Sequence, residues 1–168
     1  MSRKKDKPKL RPKDKSRTTR PKDIGVVENF FKRDGRLNRL RYFKRMILIG
    51  VIESLLLGVI IVMNVNALFE MSPNGMIAFK AASIVGLIPI FCLTVRRLHD
   101  IDKDESLAYV FCALNVATTI SIDEKFLTAE PSMLMNLASS VSAVIGLYLL
   151  LCSGTEGDNK YGSDPLAT

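Results

Sequence analysis

The chain has 168 residues, 48% hydrophobic and 24% charged, and a formal net charge of +7. This length allows one domain. The two classes of residue are separated along the chain, since residues 1–45 contain 18 of the 24 Lys and Arg residues but 5 of the 17 Asp and Glu residues. This distribution argues against a soluble basic protein with cations spread over a folded surface, and a tail of one sign predicts an anionic partner.

The three cysteines, Cys92, Cys112 and Cys152, all lie inside apolar runs. An odd number of cysteines without loop positions argues against a disulfide framework. We expect reduced thiols that are buried as small hydrophobic side chains. A soft-metal site that combined these thiols with His99 would call for a C-x-x-C spacing, which the sequence lacks, so neither a metal nor another cofactor is predicted.

The N-terminal segment is rich in Lys, Arg, Pro and Asp. Residues 1–23 contain almost nothing that could be buried, which predicts a disordered basic tail in the cytoplasm. Because the tail is tethered at a membrane, the expected partners are anionic lipid headgroups. The absence of interleaved aromatic residues argues against nucleic acid. Residues 24–31, an apolar cluster, predict a short helix that lies in the membrane interface.

The next helix has a recognisable start at Asn38. Asn is a favoured capping residue. Leu37 precedes it and Tyr42 follows four positions later, which is the spacing of a hydrophobic staple. The helix is predicted to continue directly into the first apolar run, which begins near residue 46, too far into the chain for a cleaved signal peptide.

Residues 24–168 predict one all-α membrane domain, a polytopic bundle of four transmembrane helices with the short interfacial helix at its N-terminus. The predicted spans are 46–69, 76–95, 106–122 and 131–152, with lengths of roughly 36, 30, 26 and 33 Å against a hydrocarbon core of about 30 Å. Helices are predicted because lipid offers no hydrogen bonds to the backbone. The third span is the shortest.

Basic residues predict the orientation of the spans. The N-terminal flank carries the large basic cluster, and Arg96, Arg97 and Lys103 follow the second span. The opposite loops contain Lys125, and Lys80 lies just inside the second span, where it is expected to extend outward to the interface. Both termini are therefore predicted to be cytoplasmic.

Three groups of residues stand out along the chain. The first is Phe30-Phe31, Gly35-Arg36, Arg39 and Tyr42-Phe43; the second is Arg96-Arg97-Leu98-His99-Asp100, or RRLHD; the third is Gly154, Gly157, Asn159, Tyr161-Gly162 and Asp164-Pro165. Together they resemble the bacterial inner-membrane family called domain of unknown function 805, over residues 28 to 165. The resemblance implies a multi-pass protein of the bacterial cytoplasmic membrane and implies no biochemical role.

The RRLHD motif has three interpretations. Two arginines and His99 could bind a phosphate or a lipid headgroup, or they could simply extend into the interface. In the third interpretation, which we favour, Arg36, Arg96 or Arg97 pairs with Asp100 or Asp164 and thereby fastens the cytoplasmic motifs to the bundle. The ligand site is the main alternative.

Glu53 is an ionisable residue inside the first span, about 10 Å from its cytoplasmic end. Such a residue suggests a functional site whose partner must be identified, and Arg96 is the predicted partner because the second helix returns to that side. A role in transport or proton relay is one reading. The other is a protonated or hydrated side chain that only helps the helices to pack.

The C-terminal segment after the fourth span contains Gly154, Asn159, Gly162 and Pro165. Gly154 is expected to end the last helix, and the other three are expected to mark successive turns. The segment lacks the Lys-Ser/Thr and the following helix of a phosphate-binding loop.

The sequence as a whole predicts a non-enzymatic integral membrane protein that acts as an interaction or assembly component, with an unidentified membrane-protein partner. The alternative is a small transporter or channel subunit. That class should have several polar groups on inward helix faces, and the spans offer few: Glu53, Asn64, Asn115 and Asn136. An enzyme is not expected, because acid–base chemistry uses several His, Asp or Glu residues together and the chain has one His.

Overall fold

The computed structural model of the protein describes residues 25–123, 125, 127 and 130–166. It contains α1 (Val26–Phe30), α2 (Arg39–Asn64), α3 (Pro73–Asp100), α4 (Ser106–Ser121) and α5 (Met133–Leu151). This part of the chain has no β-strand, which confirms the predicted all-α class. The tail predicted for residues 1–23 lies outside the described residues.

In the part of the chain that the structure describes, three helices are long and apolar enough to cross a membrane, namely α2, α3 and α5, with 26, 28 and 19 residues. Large apolar side chains cover their outer faces, and Leu55, Val62 and Leu134 are 67%, 78% and 77% exposed. A water-soluble monomer does not carry so much exposed apolar surface, whereas a helix in lipid does. α4 is apolar but has 16 residues, which gives about 24 Å of helix.

The start of α2 is the one that the sequence predicts. The Asn38 side chain accepts a hydrogen bond from the backbone N–H of Arg41 at 2.8 Å. Leu37 and Tyr42, on either side of this cap, are buried in the same apolar cluster. Both the capping residue and the hydrophobic staple are therefore confirmed. Ser residues cap α3 and α5 in the same way.

The four longer helices form a bundle in which neighbours in sequence are neighbours in space, and α5 returns to contact α2. One apolar cluster takes buried residues from all four helices, including Ile49, Leu98, Ala108 and Leu149. A second, smaller cluster of Met71, Met76 and Phe79 lies towards the end of α2 and the beginning of α3. The bundle thus has two apolar centres along its length.

α3 extends farther than predicted. It continues through Arg96–Asp100, five residues beyond the predicted end at residue 95, and every residue from Cys92 to Asp100 is buried. Arg97 and His99 occupy the last turn, where positive charge is favourable near the negative end of the helix dipole. The RRLHD motif is therefore a buried helix end, whereas the predicted second span stopped just before it.

Candidate functional site

Asp100, the last residue of α3, binds two arginines with its carboxylate. Oδ1 accepts a hydrogen bond from Nε of Arg36 at 3.1 Å, and Oδ2 accepts one from Nη1 of Arg97 at 2.5 Å. The three side chains are at most 3% exposed. We call this region the cap and define it as Arg36, the Arg96–Asp100 end of α3 and residues 152–165.

The remaining donors of Arg97 bind the end of α5. Nε donates to the backbone carbonyl of Leu149 at 2.8 Å, and Nη2 donates to that of Cys152. The last carbonyls of a helix have no amide partner within it and carry the negative end of its dipole. Arg97 supplies both the donors and the positive charge, so it joins the C-terminal ends of α3 and α5.

Arg36 binds the C-terminal segment that follows α5. Its Nη1 donates to the carbonyl of Gly157 and its Nη2 to that of Thr155, both at 2.5 Å. Nη1 also lies 3.4 Å from the carbonyl of Gly162. Since the Nε of Arg36 is bonded to Asp100, one guanidinium contacts the end of α3 and three points of the C-terminal segment. Arg36 itself precedes α2, so it connects three parts of the chain that are distant in sequence.

The C-terminal segment lies against Asp100 at Gly154. A Cβ built on Gly154 would collide with the Asp100 carboxylate. Thr155 then donates from its backbone N–H at 2.8 Å and from Oγ1 at 3.2 Å to the Asp100 carbonyl. The predicted role of Gly154 is wrong, because α5 already ends at Leu151 and Gly154 has no positive φ. Gly154 is needed for space.

His99 is held between two segments. Its ring stacks on the Tyr161 ring with centroids 3.8 Å apart and planes at 10°. Nδ1 lies 3.3 Å from the carbonyl of Gly35, and Nε2 lies 3.9 Å from Glu105. The backbone carbonyl of His99 accepts a hydrogen bond from Asn159 at 2.9 Å. These contacts fix both the ring and the backbone of His99 within the protein.

Arg96 and Asp164 lie at the edge of the cap. Nη1 of Arg96 donates to a backbone carbonyl of α1 at 3.1 Å. The Asp164 carboxylate accepts hydrogen bonds from the backbone N–H groups of Leu166 at 2.8 Å and Gly157 at 3.1 Å. These two bonds hold the pKa of Asp164 below its ordinary value. Asp100, and not Asp164, is the carboxylate that pairs with the arginines.

Glu53 lies far from the cap. Its carboxylate packs against α3 at Gly86, where an added Cβ would lie 2.5 Å from Oε1 of Glu53. Arg96 is ten residues further along α3, which corresponds to about 15 Å of helix. The predicted ion pair between Glu53 and Arg96 is therefore wrong, because the two side chains lie at different levels of the bundle.

Lys80 binds the end of α4 and does not extend outward as predicted. Its Nζ donates to the backbone carbonyl of Ile120 at 2.9 Å. Ile120 lies in the last turn of α4, where carbonyls have no amide partner within the helix. Lys80, near the start of α3, therefore supplies a hydrogen-bond donor to the end of α4, the shortest of the four bundle helices.

The cap holds polar groups against one another and against backbone. Its two central guanidinium groups donate to Asp100 and to carbonyls of residues 149–162. Within the described residues, no three His, Cys, Asp or Glu side chains lie close enough to hold a metal ion. Cys92 is buried, and Cys112 and Cys152 are half-buried free thiols.

Two further contacts at this end of the bundle were not expected from the sequence. One is the close approach of Gly154 to Asp100. The other is the ion pair of Arg33 with Glu105, which joins the segment before α2 to the start of α4. The glycines of the C-terminal pattern were a signal for close backbone approach, but spacing alone does not identify the group that approaches.

Comparison with protein families gives one match: a family model described as protein of unknown function (DUF805) matches residues 30–163. The match confirms the resemblance that the motifs predicted, and it includes Arg36, the RRLHD motif and nearly all of the C-terminal segment. Comparisons with curated proteins and with solved structures gave no match.

Proposed function

We propose the following role for this chain, which belongs to the DUF805 family of proteins of unknown function: it is a non-enzymatic membrane protein that acts as an interaction or assembly component. The cap carries this proposal. Its buried arginines are the groups best suited to bind an anionic ligand, yet they bind the end of α5, the C-terminal segment and Asp100. Their role is to fasten the end of the bundle.

The proposal includes four membrane crossings. Arg97 joins the C-terminal ends of α3 and α5, so these two ends lie at the same level. α4 begins six residues after Asp100, and its last turn is bonded to Lys80 near the start of α3. α4 therefore runs back along α3 for most of the bundle. This supports a crossing by α4 despite its length of about 24 Å.

We place the cap end of the bundle in the cytoplasm of a bacterial cell, at the inner membrane. Basic residues concentrate at this end, in accord with the positive-inside rule. Reporter domains fused to the N-terminus and to the C-terminus should both be active only as cytoplasmic reporters. Reporters that place the two termini on opposite sides of the membrane would contradict the four-crossing topology.

The tail and α1 support a lipid partner. Val26, Val27 and Phe31 are exposed beside the start of α2, where Arg39 and Lys44 are also exposed. We expect anionic headgroups to bind here and along residues 1–23, with about 1 kcal/mol for each basic residue close to the surface. The tail should bind vesicles that contain anionic lipid, and equal binding to neutral vesicles would contradict this partner.

One face of α2 supports a protein partner. Gly50, Ser54 and Gly58 recur every four residues, a spacing that allows close approach of a second helix. Ser54 is exposed, and a Cβ added to either glycine would have no neighbour within 4 Å. This face is thus open in the single chain.

Transport has less support than assembly. A transporter should direct several polar side chains at one path, but the asparagines within the bundle bind nearby backbone. Asn64 donates to the carbonyl of Ile60, and Asn115 donates to that of Phe111. Asn136 also donates to a backbone carbonyl, five residues before it. Their contacts to other elements are single bonds, from Asn115 to the Ser142 hydroxyl at 3.4 Å and from the Ser72 hydroxyl to Asn64 at 3.2 Å.

Crosslinking in native membranes tests the proposal. A photoreactive residue at position 54 should give a discrete protein adduct, and Gly58→Ile should abolish it, because a bulky side chain blocks close helix approach. The same photoreactive residue at position 85, on the exposed face of α3, is the matched control and should label lipid. Lipid labelling alone at both positions, together with substrate flux in proteoliposomes, would favour the transporter instead.

A further inference from the structure

Glu53 lies in the contact between α2 and α3, between the two apolar centres of the bundle. Ile49 and Leu57 precede and follow it by four residues on the same face of α2. Ile49 belongs to the cluster nearer the cap, and Leu57 packs against the cluster of Met71, Met76 and Phe79. A carboxyl group thus interrupts an otherwise apolar helix contact near the middle of the bundle.

Two features of α3 are placed to receive this carboxyl group. The first is Gly86, whose missing side chain leaves the space that the Glu53 carboxylate occupies. The second is Pro89, which lies inside α3 and has no N–H. The carbonyl of Val85, four residues earlier, therefore has no amide partner within the helix. This carbonyl is covalently joined to Gly86, the residue that Glu53 contacts.

Among the described residues of the helices that pack around it, the charged and titratable groups do not offer Glu53 a counter-ion. On α3, Lys80 lies six residues before Gly86 and is bonded to α4, and Cys92 lies six residues after Gly86. On α5, the titratable groups are limited to Tyr148, since that helix contains no Asp, Glu, Lys or Arg. A carboxylate ion in lipid without a cation is costly, whereas a carboxylic acid can donate a hydrogen bond to a free carbonyl.

We propose that Glu53 is a proton-binding site within the membrane: its neutral carboxylic acid donates a hydrogen bond to the backbone carbonyl of Val85 and thereby joins α2 to α3. Gly86 provides the space and Pro89 provides the acceptor. The site goes beyond the proposed assembly role, because it does not involve the cap. Loss of the proton removes the donor and leaves a negative charge between two apolar clusters, so protonation controls the packing of α2 on α3.

Infrared spectroscopy of the full-length protein in lipid nanodiscs tests the protonation. At pH 7 a water-exposed Glu, with a pKa of about 4.3, is ionised. We expect the wild-type protein to show a carbonyl-stretching band of a protonated carboxylic acid that is lost in Glu53→Gln. The matched control Glu70→Gln, at the end of the bundle opposite the cap, should leave the band unchanged. A spectrum without a Glu53-dependent band at pH 7 would overturn the proposal.

Stability measurements test the hydrogen bond. Glu53→Gln keeps a neutral donor, so it should retain the wild-type unfolding midpoint, whereas Glu53→Leu is neutral without a donor and should lower it. Pro89→Ala returns an amide to the Val85 carbonyl, and in that background the difference between Gln and Leu at position 53 should disappear. Equal midpoints for Gln and Leu in the wild-type background would show that the bond is absent. A difference that persists in Pro89→Ala would exclude Val85 as the acceptor.

Discussion

The two ends of the bundle are joined by different kinds of contact. At the cap, buried arginines and Asp100 connect segments more than 50 residues apart. At the opposite end, where α2 turns into α3, most polar contacts are local: Ser72 caps α3 at Gly75 and its hydroxyl donates to Asn64. The helix-to-helix hydrogen bond described there, from Lys80 to the carbonyl of Ile120, lies at an exposed position. The contacts of the cap should therefore be lost together when one of them is removed. The contacts of the opposite end should be lost independently of one another.

The largest effect is expected for Asp100→Asn, which removes the carboxylate shared by Arg36 and Arg97. Two buried guanidinium groups then lose their counter-ion, and breaking a buried pair in this way costs about 3–5 kcal/mol. The free energy of unfolding, measured by titration with a denaturing detergent in mixed micelles, should fall by that amount. The C-terminal segment should also become accessible to protease.

Asp102→Asn is the matched control. Asp102 is an exposed residue with φ of 60°, a conformation that Asn adopts readily. The same chemical change two residues away should therefore leave the free energy of unfolding within about 0.5 kcal/mol of the wild type. Equal effects of the two substitutions would show that the cap is not held by its buried charges.

Gly154→Ala tests the close approach at the cap without changing any charge. The added methyl group would collide with the Asp100 carboxylate, and overpacking of this kind typically costs about 1–3 kcal/mol. Gly146→Ala on α5 is the control, since its Cβ would meet nothing within 4 Å. If both variants unfold at the same detergent concentration, the separation between Gly154 and Asp100 must be larger than the structure shows.

Lys80→Met examines the opposite end. It removes one hydrogen bond, from Nζ to the carbonyl of Ile120, and keeps the apolar length of the side chain. The expected loss in the free energy of unfolding is about 0.5–1.5 kcal/mol, well below that of Asp100→Asn. A loss as large as that of Asp100→Asn would contradict the difference between the two ends. It would mean that Lys80 stabilises the opposite end as much as Asp100 stabilises the cap.

The sequence predicted what depends on local pattern. Apolar runs predicted the α2, α3 and α5 helices, and the spacing of Leu37, Asn38 and Tyr42 predicted the start of α2. These features depend on residues within a few positions of one another. The motifs also predicted the family. The favoured interpretation of RRLHD included Asp100 among the possible partners of Arg36 and Arg97, but it did not include the backbone carbonyls that these arginines also bind.

Contacts between distant segments could not be predicted in the same way. From hydropathy alone, Arg97 is expected at the membrane interface. In the structure it binds Asp100 and also two carbonyls at the end of α5, which hydropathy does not predict. Arg96 was predicted as the partner of Glu53 because α3 returns to the same side of the membrane. That prediction did not include the level along α3 at which Glu53 contacts the helix. Gly86 was a usable signal, because a glycine within a helix often marks a close neighbour.

The smallest effect concerns Asp164, at the edge of the cap, and it appears as a dependence on pH. Hydrogen bonds from the N–H groups of Leu166 and Gly157 lower the pKa of Asp164 in the folded protein, while its unfolded value is about 3.9. Its contribution to stability is therefore fully present above about pH 5, where the unfolded chain is also ionised, and is lost as the pH falls through the lower, folded pKa. The difference in the free energy of unfolding between wild type and Asp164→Asn should be constant from pH 7 to about pH 5 and then shrink on further acidification. A difference that grows instead as the pH falls would mean that the carboxylate is destabilised in the folded cap. The C-terminal turn would then be held by Arg36 and Asp100 alone.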